Sequence, residues 1–319
     1  MISMAAYRSV YLVDEVRSKL DALPDDGHEP LRQTYTRMIA VGGDRLAIKP
    51  AATPDRDLLR AEMPNFSAPL EDICRSVALA ADTADAIEIV PMLLLGAPGI
   101  GKTHFARRVA ELLGTASALV PMNAMTAGWI LSGASSQWKG ARPGKVFETL
   151  VQGDYANPVV VIDEIDKAAA HAQYDPMGAL YNLLEHDTAR RFTDEFAEVP
   201  IDCSAVIWVA TANDASAIPE PILNRLNVYE LEPPDEQGLR AIAQRLYREL
   251  RNGHDWGRAF PDELDGPALD ALVGSSPRTM RRLLAGAFGA AKLDGRSELR
   301  ADDFARLQGR RPPRIGFLQ

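Results

Sequence analysis

The sequence predicts an α/β domain with a parallel sheet flanked by helices, preceded by a small helical region and followed by an all-helical domain. Three observations support this fold class. In the middle of the chain, short apolar runs alternate with helical patterns, as expected for strands buried on both faces of a parallel sheet. One of these runs ends in a glycine-rich loop and another ends in a pair of acids, and both are residue types suited to the carboxyl edge of such a sheet. Beyond residue 233 no run with strand character is evident.

Residues 1–60 are predicted to form the small helical region. Apolar residues recur near helical spacing over 5–20, and Pro-Asp-Asp-Gly at 24–27 ends this run. A second helix is expected over 29–39. A connector that contains proline and aspartate, residues 49–57, then leads to the next domain.

Residues 61–232 are predicted to form the α/β domain. Its helices are expected at 69–84, 102–113, 145–152 and 175–184, and its strands at 87–95, 118–121, 158–162 and 205–210. Residues 233–308 are predicted to be an all-helical domain with helices at 236–249, 267–273, 277–293 and 301–307. Residues 309–319 are expected to be an irregular tail.

Composition and charge exclude several classes of protein. The chain has 319 residues, of which 46% are hydrophobic and 25% charged, a globular balance that excludes dominant disorder. The longest apolar stretch, residues 89–97, is about half the length of a spanning helix, so no membrane partner is expected. With only two cysteines a disulfide scaffold is excluded, which favours the cytoplasm. A net charge of −9 disfavours global attraction to nucleic acid.

A phosphate-binding loop is predicted at residues 96–103, which fit the pattern G-x-x-x-x-G-K-[ST] between a predicted strand and a predicted helix. Its glycines let backbone N–H groups turn toward phosphate oxygens, and the following helix adds its positive N-terminal end. Lys102 is expected to reach the β- and γ-phosphates, and the Thr103 hydroxyl to coordinate Mg²⁺. The residues predicted to bind ATP are Gly96, Ala97, Pro98, Gly99, Ile100, Gly101, Lys102, Thr103 and His104.

Two acids, Asp163 and Glu164, end the apolar run at 158–162. Ligand sites of open α/β sheets lie at this edge of the sheet. Asp163 is therefore expected to hold Mg²⁺ through its water shell, and Glu164 to polarise an attacking water as a general base. The alternative is a pair of surface acids that closes a strand. The phosphate loop upstream, in the expected order, weakens that alternative.

Five segments together resemble the AAA+ ATPases and, more narrowly, the ATPase module of Lon proteases. They are GAPGIGKTHFARRVAELLG (96–114), VVIDEIDK (160–167), DPMGALYNLLE (175–185), FTDEFAEVPIDCSAVIWVATAN (192–213) and IPEPILNRLNVYEL (218–231). The similar region runs from about residue 66 to residue 305. The resemblance implies an AAA+ P-loop NTPase fold whose C-terminal helical domain is a lid. It also implies ATP hydrolysis at the subunit interfaces of a homo-oligomeric ring, expected to be a hexamer.

The resemblance implies three further site residues. Asn213 matches the first sensor, a polar group that orients the attacking water near the γ-phosphate. Arg225 matches the arginine finger, which completes the site of a neighbouring subunit, and Arg278 matches the second sensor on the lid. An arginine fork suits these places because it neutralises developing phosphoryl charge. A surface salt bridge is the alternative for either arginine.

Substrate contact is expected from a glycine- and serine-rich loop at 132–147. In Lon-like modules a similar loop presents an aromatic-hydrophobic pair to the central pore, and here the pair is Trp138 and Lys139. The ring can wedge against any polypeptide side chain, and the lysine favours acidic segments or phosphates. The alternative is a tryptophan packed under its own loop. A second loop, residues 190–196, matches the second pore loop by position, with its phenylalanines as alternative core residues.

The leading hypothesis is an ATP-driven ring that remodels or unfolds a protein substrate, a chaperone-like motor. No intrinsic protease activity is expected, because no segment for a Ser–Lys protease domain follows the lid. Two alternatives stay open. One is a nucleotide-gated switch or scaffold that binds a partner protein. The other is a nucleic-acid motor or loader of the same superfamily, supported by Lys139, Arg142 and Lys145 and disfavoured by the acidic total.

Overall fold

The computed structural model describes residues 2–124, 129–138, 140–168 and 175–308. These residues divide into two compact units. The first comprises the described residues up to Arg56 together with Ala68–Gly96 and Lys102–Leu231. The second comprises Asp57–Ser67, Ala97–Gly101 and the described residues from Glu232 onward.

The secondary structure alternates strands and helices up to β9 and is helical thereafter. The strands are β1 (Ile2–Ser9), β2 (Asp44–Pro50), β3 (Met92–Gly96), β4 (Ser117–Pro121), β5 (Val159–Asp163), β6 (Phe192–Thr193), β7 (Pro200–Ile201), β8 (Ile207–Ala212) and β9 (Asn227–Leu231). The helices are α1 (Val13–Asp21), α2 (Glu29–Val41), α3 (Arg56–Glu62), α4 (Ser67–Ala80), α5 (Lys102–Leu113), α6 (Trp129–Ser132), α7 (Lys145–Val151), α8 (Leu180–Leu183), α9 (His186–Ala189), α10 (Glu220–Leu223), α11 (Glu236–Asn252), α12 (Gly266–Asp270), α13 (Pro277–Leu293) and α14 (Ala301–Gln308).

The first unit is built on a five-stranded sheet with the order β4–β5–β8–β3–β9, in which each neighbouring pair is parallel. The predicted parallel sheet is confirmed, and its four predicted strands are β3, β4, β5 and β8. Apolar runs such as Val159–Ile162 are buried, as strands covered on both faces should be. The edge strand β9 escaped prediction because its exposed positions, among them Asn227, break the apolar pattern.

The prediction of an all-helical region over residues 1–60 is wrong in its first part. Residues 2–9 form β1, which pairs antiparallel with β2. Only the second half of the segment predicted as helix, from Val13, is helical, and α2 confirms the second helix. Local periodicity missed β1 because strand formation depends on a partner, and β2 lies far along the chain.

A buried lysine connects the N-terminal region to the rest of the first unit. The Lys49 ammonium of β2 donates to the carbonyl oxygens of Ala80, Thr83 and Asp85 at 2.5, 2.7 and 2.7 Å. Lys49 thus satisfies carbonyl groups at and beyond the end of α4, where a helix leaves them without partners. Apolar residues of α1 and α2 also belong to the same core cluster as the sheet.

The second unit confirms that the described residues after 233 are helical, as predicted. Its helices α11 to α14 enclose a separate apolar core, in which the rings of Tyr247 and Phe288 stack with centroids 5.2 Å apart. Asp235 and Ser276 cap α11 and α13 by accepting hydrogen bonds from backbone N–H groups of the first turn.

One predicted helix is shorter than expected. The segment 175–184 is helical only over α8, because the Asp175 carboxylate accepts a hydrogen bond from the Met177 N–H at 2.9 Å and forms a turn instead. Among the described residues, no helix has the length and apolar character needed to cross a membrane.

Candidate nucleotide-binding site

The predicted phosphate loop connects β3 to α5. Gly99 and Gly101 have φ angles of 83° and 105°, in the left-handed region that favours glycine. Lys102 is the first residue of α5, so the loop leads into a helix N-terminus. These are the local features that the motif requires. His104, predicted with the loop, is exposed on α5, and its role stays a prediction.

Within the second unit, the loop segment Ala97–Gly101 lies beside the start of α13. A Cβ added at Gly99 would lie 3.6 Å from the Cβ of Ser276, the residue that caps α13. Arg278 occupies the first turn of the same helix. The predicted second sensor is therefore near the phosphate loop in the fold, whereas its contact with nucleotide stays a prediction.

Lys102 and Asn213, which are 111 positions apart, are in direct contact. The Lys102 ammonium donates to the Asn213 side-chain oxygen at 2.9 Å and to the Gly96 carbonyl oxygen at 2.7 Å. The residue is only 8% exposed. Burial lowers the pKa of its ammonium, and the charges of Asp166, Asp163 and Glu164 oppose that shift. A cation held at this cost is suited to an anionic ligand that would compensate it.

A second group of contacts centres on Asp163 at the end of β5. Its Oδ1 accepts hydrogen bonds from the hydroxyls of Thr103 and Thr211, both at 2.8 Å. Thr211 also accepts a hydrogen bond from the Glu164 N–H at 2.9 Å. Thr211 was not predicted as a site residue. The sequence feature that could have indicated it is a hydroxyl side chain within the apolar strand that leads to Asn213.

These oxygen groups fit a magnesium–nucleotide complex. Mg²⁺ is commonly bound by one or two protein oxygens together with substrate phosphates and water. Thr103 and Asp163 supply such oxygens side by side. Within the described part of the chain, no cluster of three or more His, Cys, Asp or Glu side chains is placed to hold a metal ion.

Glu164 has an unusual backbone conformation. Its φ of 53° and ψ of 51° are left-handed, which costs a non-glycine residue about 1–3 kcal/mol. Its carboxylate accepts a hydrogen bond from the Asn123 amide at 2.5 Å. This bond engages Oε2, and a carboxylate has a second oxygen that can accept a hydrogen bond from water. Asn123, like Thr211, was missed by the motifs because it stands alone after β4.

Arg225 pairs within its own chain. Its Nε lies 3.4 Å from Glu185 Oε2, and its guanidinium donates to the Pro221 carbonyl oxygen. Its side chain is partly buried. In the single chain Arg225 therefore forms a salt bridge, as the alternative expected. Its role as the arginine finger of a neighbouring subunit stays a prediction.

Trp138 is half exposed rather than packed under its loop. It is 47% exposed, and its ring makes an edge-to-face contact with Trp129 at a centroid distance of 5.6 Å. Lys139, the other half of the predicted pair, lies outside the described residues, as does the tail over 309–319. In the second predicted loop, Phe192 and Phe196 are buried core residues.

Asp194 connects the two predicted pore loops. Fully buried, its carboxylate accepts hydrogen bonds from the N–H groups of Gly144, Phe196 and Ala197 at 2.8, 2.9 and 3.1 Å. A Cβ added at Gly133 would collide with this carboxylate. The loop that carries Trp138 is thus hydrogen-bonded to Asp194 at its Gly144 stem and lies close to the same side chain at its Gly133 stem. The motifs gave no signal for this role.

The stability of the fold should depend on the protonation of Asp194. Burial raises the pKa of Asp194 to about 6, against the effect of its backbone hydrogen bonds. A raised folded-state pKa means stability that is present at low pH and lost as pH rises through about 6. The free energy of unfolding should fall by about 1 kcal/mol from pH 5 to pH 7 through this group. Urea unfolding of the unmodified chain and of Asp194→Asn at both pH values measures it; identical pH dependence in the two proteins would contradict this account.

Fold and site together define a P-loop ATPase domain. Residues 92–233 match the family described as "ATPase family associated with various cellular activities (AAA)". This part of the chain is an AAA domain, so the predicted fold and resemblance are confirmed.

Similar proteins give the same assignment. The chain is 35% identical over 164 residues to the Lon protease of Halothermothrix orenii, covering 51% of this chain and 21% of that protein. It is 37% identical over 150 residues to the mitochondrial Lon protease homolog of Rattus norvegicus, covering 47% of this chain and 16% of that protein. A solved complex of S. cerevisiae Hsp104 with casein shares the fold, with a TM-score of 0.60 and 18% identity over 75% of this chain and 48% of that chain. The chain thus spans about a fifth or less of the length of these Lon relatives.

Proposed function

We propose that the chain is the subunit of an ATP-driven motor that hydrolyses ATP to remodel or unfold a protein substrate. The observation that carries the proposal is the contact network at the carboxyl ends of β3, β5 and β8. Lys102 and Asn213 contact each other there, and Thr103 and Asp163 do the same. Lysine, hydroxyl, acid and amide at one edge of the sheet are the groups that phosphoryl transfer requires.

Each group has a distinct role in the proposed reaction. Thr103 and Asp163 would hold Mg²⁺, which supplies positive charge to the phosphates when bound. Lys102 neutralises charge on the β- and γ-phosphates. Glu164 takes a proton from the attacking water, while Asn213 orients that water. Thr211 positions the Glu164 backbone and the Asp163 carboxylate relative to each other, because its hydroxyl hydrogen-bonds to both.

Arg225 is proposed to act on the site of a neighbouring subunit in a homo-oligomeric ring, expected to be a hexamer. For that role it must leave Glu185, a partly exposed pairing that costs about 1 kcal/mol to break. ATP turnover per chain should therefore rise with chain concentration. We place the ring in the cytoplasm, because two cysteines are too few for the disulfide scaffold typical of oxidising compartments.

Trp138 is proposed to grip an unfolded polypeptide. Its ring is half exposed on a loop anchored by a buried carboxylate, so it can contact a substrate without loss of the loop fold. The relatives support a polypeptide as substrate, since the Lon relatives are named proteases and the Hsp104 structure is a casein complex.

Replacement of Trp138 by alanine should abolish stimulation of ATP turnover by a permanently unfolded protein, because the aromatic contact is lost. Trp138→Phe, which keeps an aromatic ring, should retain most of the stimulation. Phosphate release with and without reduced, carboxymethylated casein measures the effect. If both variants respond to casein like the unmodified chain, the substrate does not contact Trp138, and a nucleotide-gated switch or scaffold becomes the better account.

A further inference from the structure

A cavity of about 350 Å³ opens on the first unit, outside the nucleotide site. One face of α2 lines it with residues at helical spacing: Pro30, Gln33, Thr34, Arg37 and Met38. The segment Ala141–Pro143 also lines it. Phe147, Val151 and Gln152 of α7, together with Phe196, complete it. The N-terminal region and the loop region thus share one cavity.

The cavity has an apolar floor and a positively charged rim. Met38, Phe147 and Phe196 are buried and present carbon surface. Arg37 and Arg142 are exposed and are the charged side chains among the described lining residues. This local positive charge stands in contrast to the net charge of −9 of the whole chain.

The cavity adjoins both loops expected to contact substrate. The Arg142 carbonyl oxygen accepts a hydrogen bond from the Ala134 N–H at 3.1 Å, which closes the loop that carries Trp138. Phe196 is the last residue of the second loop, and its N–H donates a hydrogen bond to Asp194. An occupant of the cavity would therefore contact the base of both loops.

We propose that this cavity is a docking site for an acidic peptide segment of another protein, with one large apolar side chain inserted between the arginines. The volume lies at the lower end of ligand pockets and suits one side chain with its flanking backbone. The Gln152 side chain can pair with peptide groups, as can the Gln33 side-chain oxygen, whereas the Gln33 amide nitrogen donates to Glu29. Because the rest of the chain is acidic, attraction of an acidic partner is concentrated at Arg37 and Arg142. The proposal requires no ATP hydrolysis at the nucleotide site.

The test uses nucleotide-free protein and an array of capped pentapeptides with Asp or Glu at four positions and Phe, Leu, Met or Trp at the centre. Matched peptides carry Lys at the four positions, or Ala at the centre. Fluorescence anisotropy should detect binding of acidic peptides with an apolar centre and weaker binding of both controls. Arg37→Glu combined with Arg142→Glu should weaken binding about tenfold or more, because each exposed arginine contributes a few-fold.

The control variant combines Arg17→Glu with Arg258→Glu, which changes the net charge equally at exposed arginines outside the lining and should bind like the unmodified chain. Thr34→Trp, which fills the cavity without a change of charge, should also lose binding. The proposal is overturned if none of the peptides binds at about 1 mM, or if both double variants bind equally. Binding of oligothymidylate that depends on Arg37 and Arg142, with no peptide binding, would assign the cavity to a phosphate backbone instead.

Discussion

Glu164→Gln should bind ATP and hydrolyse it at least about a hundredfold more slowly than the unmodified chain, because a carboxamide cannot take the proton of the attacking water. The change keeps the size of the side chain. The hydrogen bond from the Glu164 N–H to Thr211 is a backbone contact and survives it. Phosphate release measures turnover, and displacement of a fluorescent ATP analogue measures binding.

Glu198→Gln is the matched control. Among the described residues, Glu198 is the other non-glycine residue with a left-handed backbone, at a φ of 51°, and it lies outside the contact network of Asp163. Its replacement should leave turnover unchanged. Normal turnover in Glu164→Gln would remove Glu164 from the role of base and with it the proposed reaction scheme.

Lys102→Ala should weaken ATP binding by at least about a hundredfold, since we propose that its buried ammonium neutralises the β- and γ-phosphates. The same change should not lower the thermal midpoint of the nucleotide-free protein. Burial lowers the pKa of Lys102, so the folded state holds this charge at a cost, and its removal relieves that cost.

Thermal unfolding separates these two effects in one experiment. ATP with Mg²⁺ should raise the midpoint of the unmodified chain, because ligand that binds only the folded state stabilises it. The midpoint of Lys102→Ala should not respond. Lys145→Ala, at a partly exposed lysine paired with Glu148, serves as the control and should respond fully. An equal ATP-induced rise in Lys102→Ala would show that nucleotide binds elsewhere.

The residues of the candidate nucleotide site could be placed at one edge of the sheet from the sequence, because they stand at fixed places relative to predicted parallel strands. Gly96, Asp163 and Asn213 each end or follow a predicted strand, and parallel strands bring such ends to one edge. Lys102 follows from the spacing of the phosphate loop. The contact of Lys102 with Asn213 is a consequence of strand order, which the motifs imply but do not state.

Other residues were not predictable, for a physical reason that they share. Asn123 donates to Glu164, 41 positions away, and Asp194 accepts from the Gly144 N–H, 50 positions away, and no local spacing marks such partners. The strand β1 was not predicted for the same reason, because its backbone hydrogen bonds are made with β2 and not within the segment itself. Local patterns specify helices and buried strands well, whereas pairings over long distances in sequence require the fold.

The most direct test of the proposed motor is ATP-dependent unfolding of a fluorescent protein that carries an unstructured peptide tail. The account predicts loss of fluorescence with the unmodified chain, ATP and Mg²⁺, and no loss with Glu164→Gln under the same conditions. A trap that captures unfolded protein keeps the reaction irreversible. ATP turnover without any loss of fluorescence, from tails of several compositions, would contradict the motor and favour a nucleotide-gated switch.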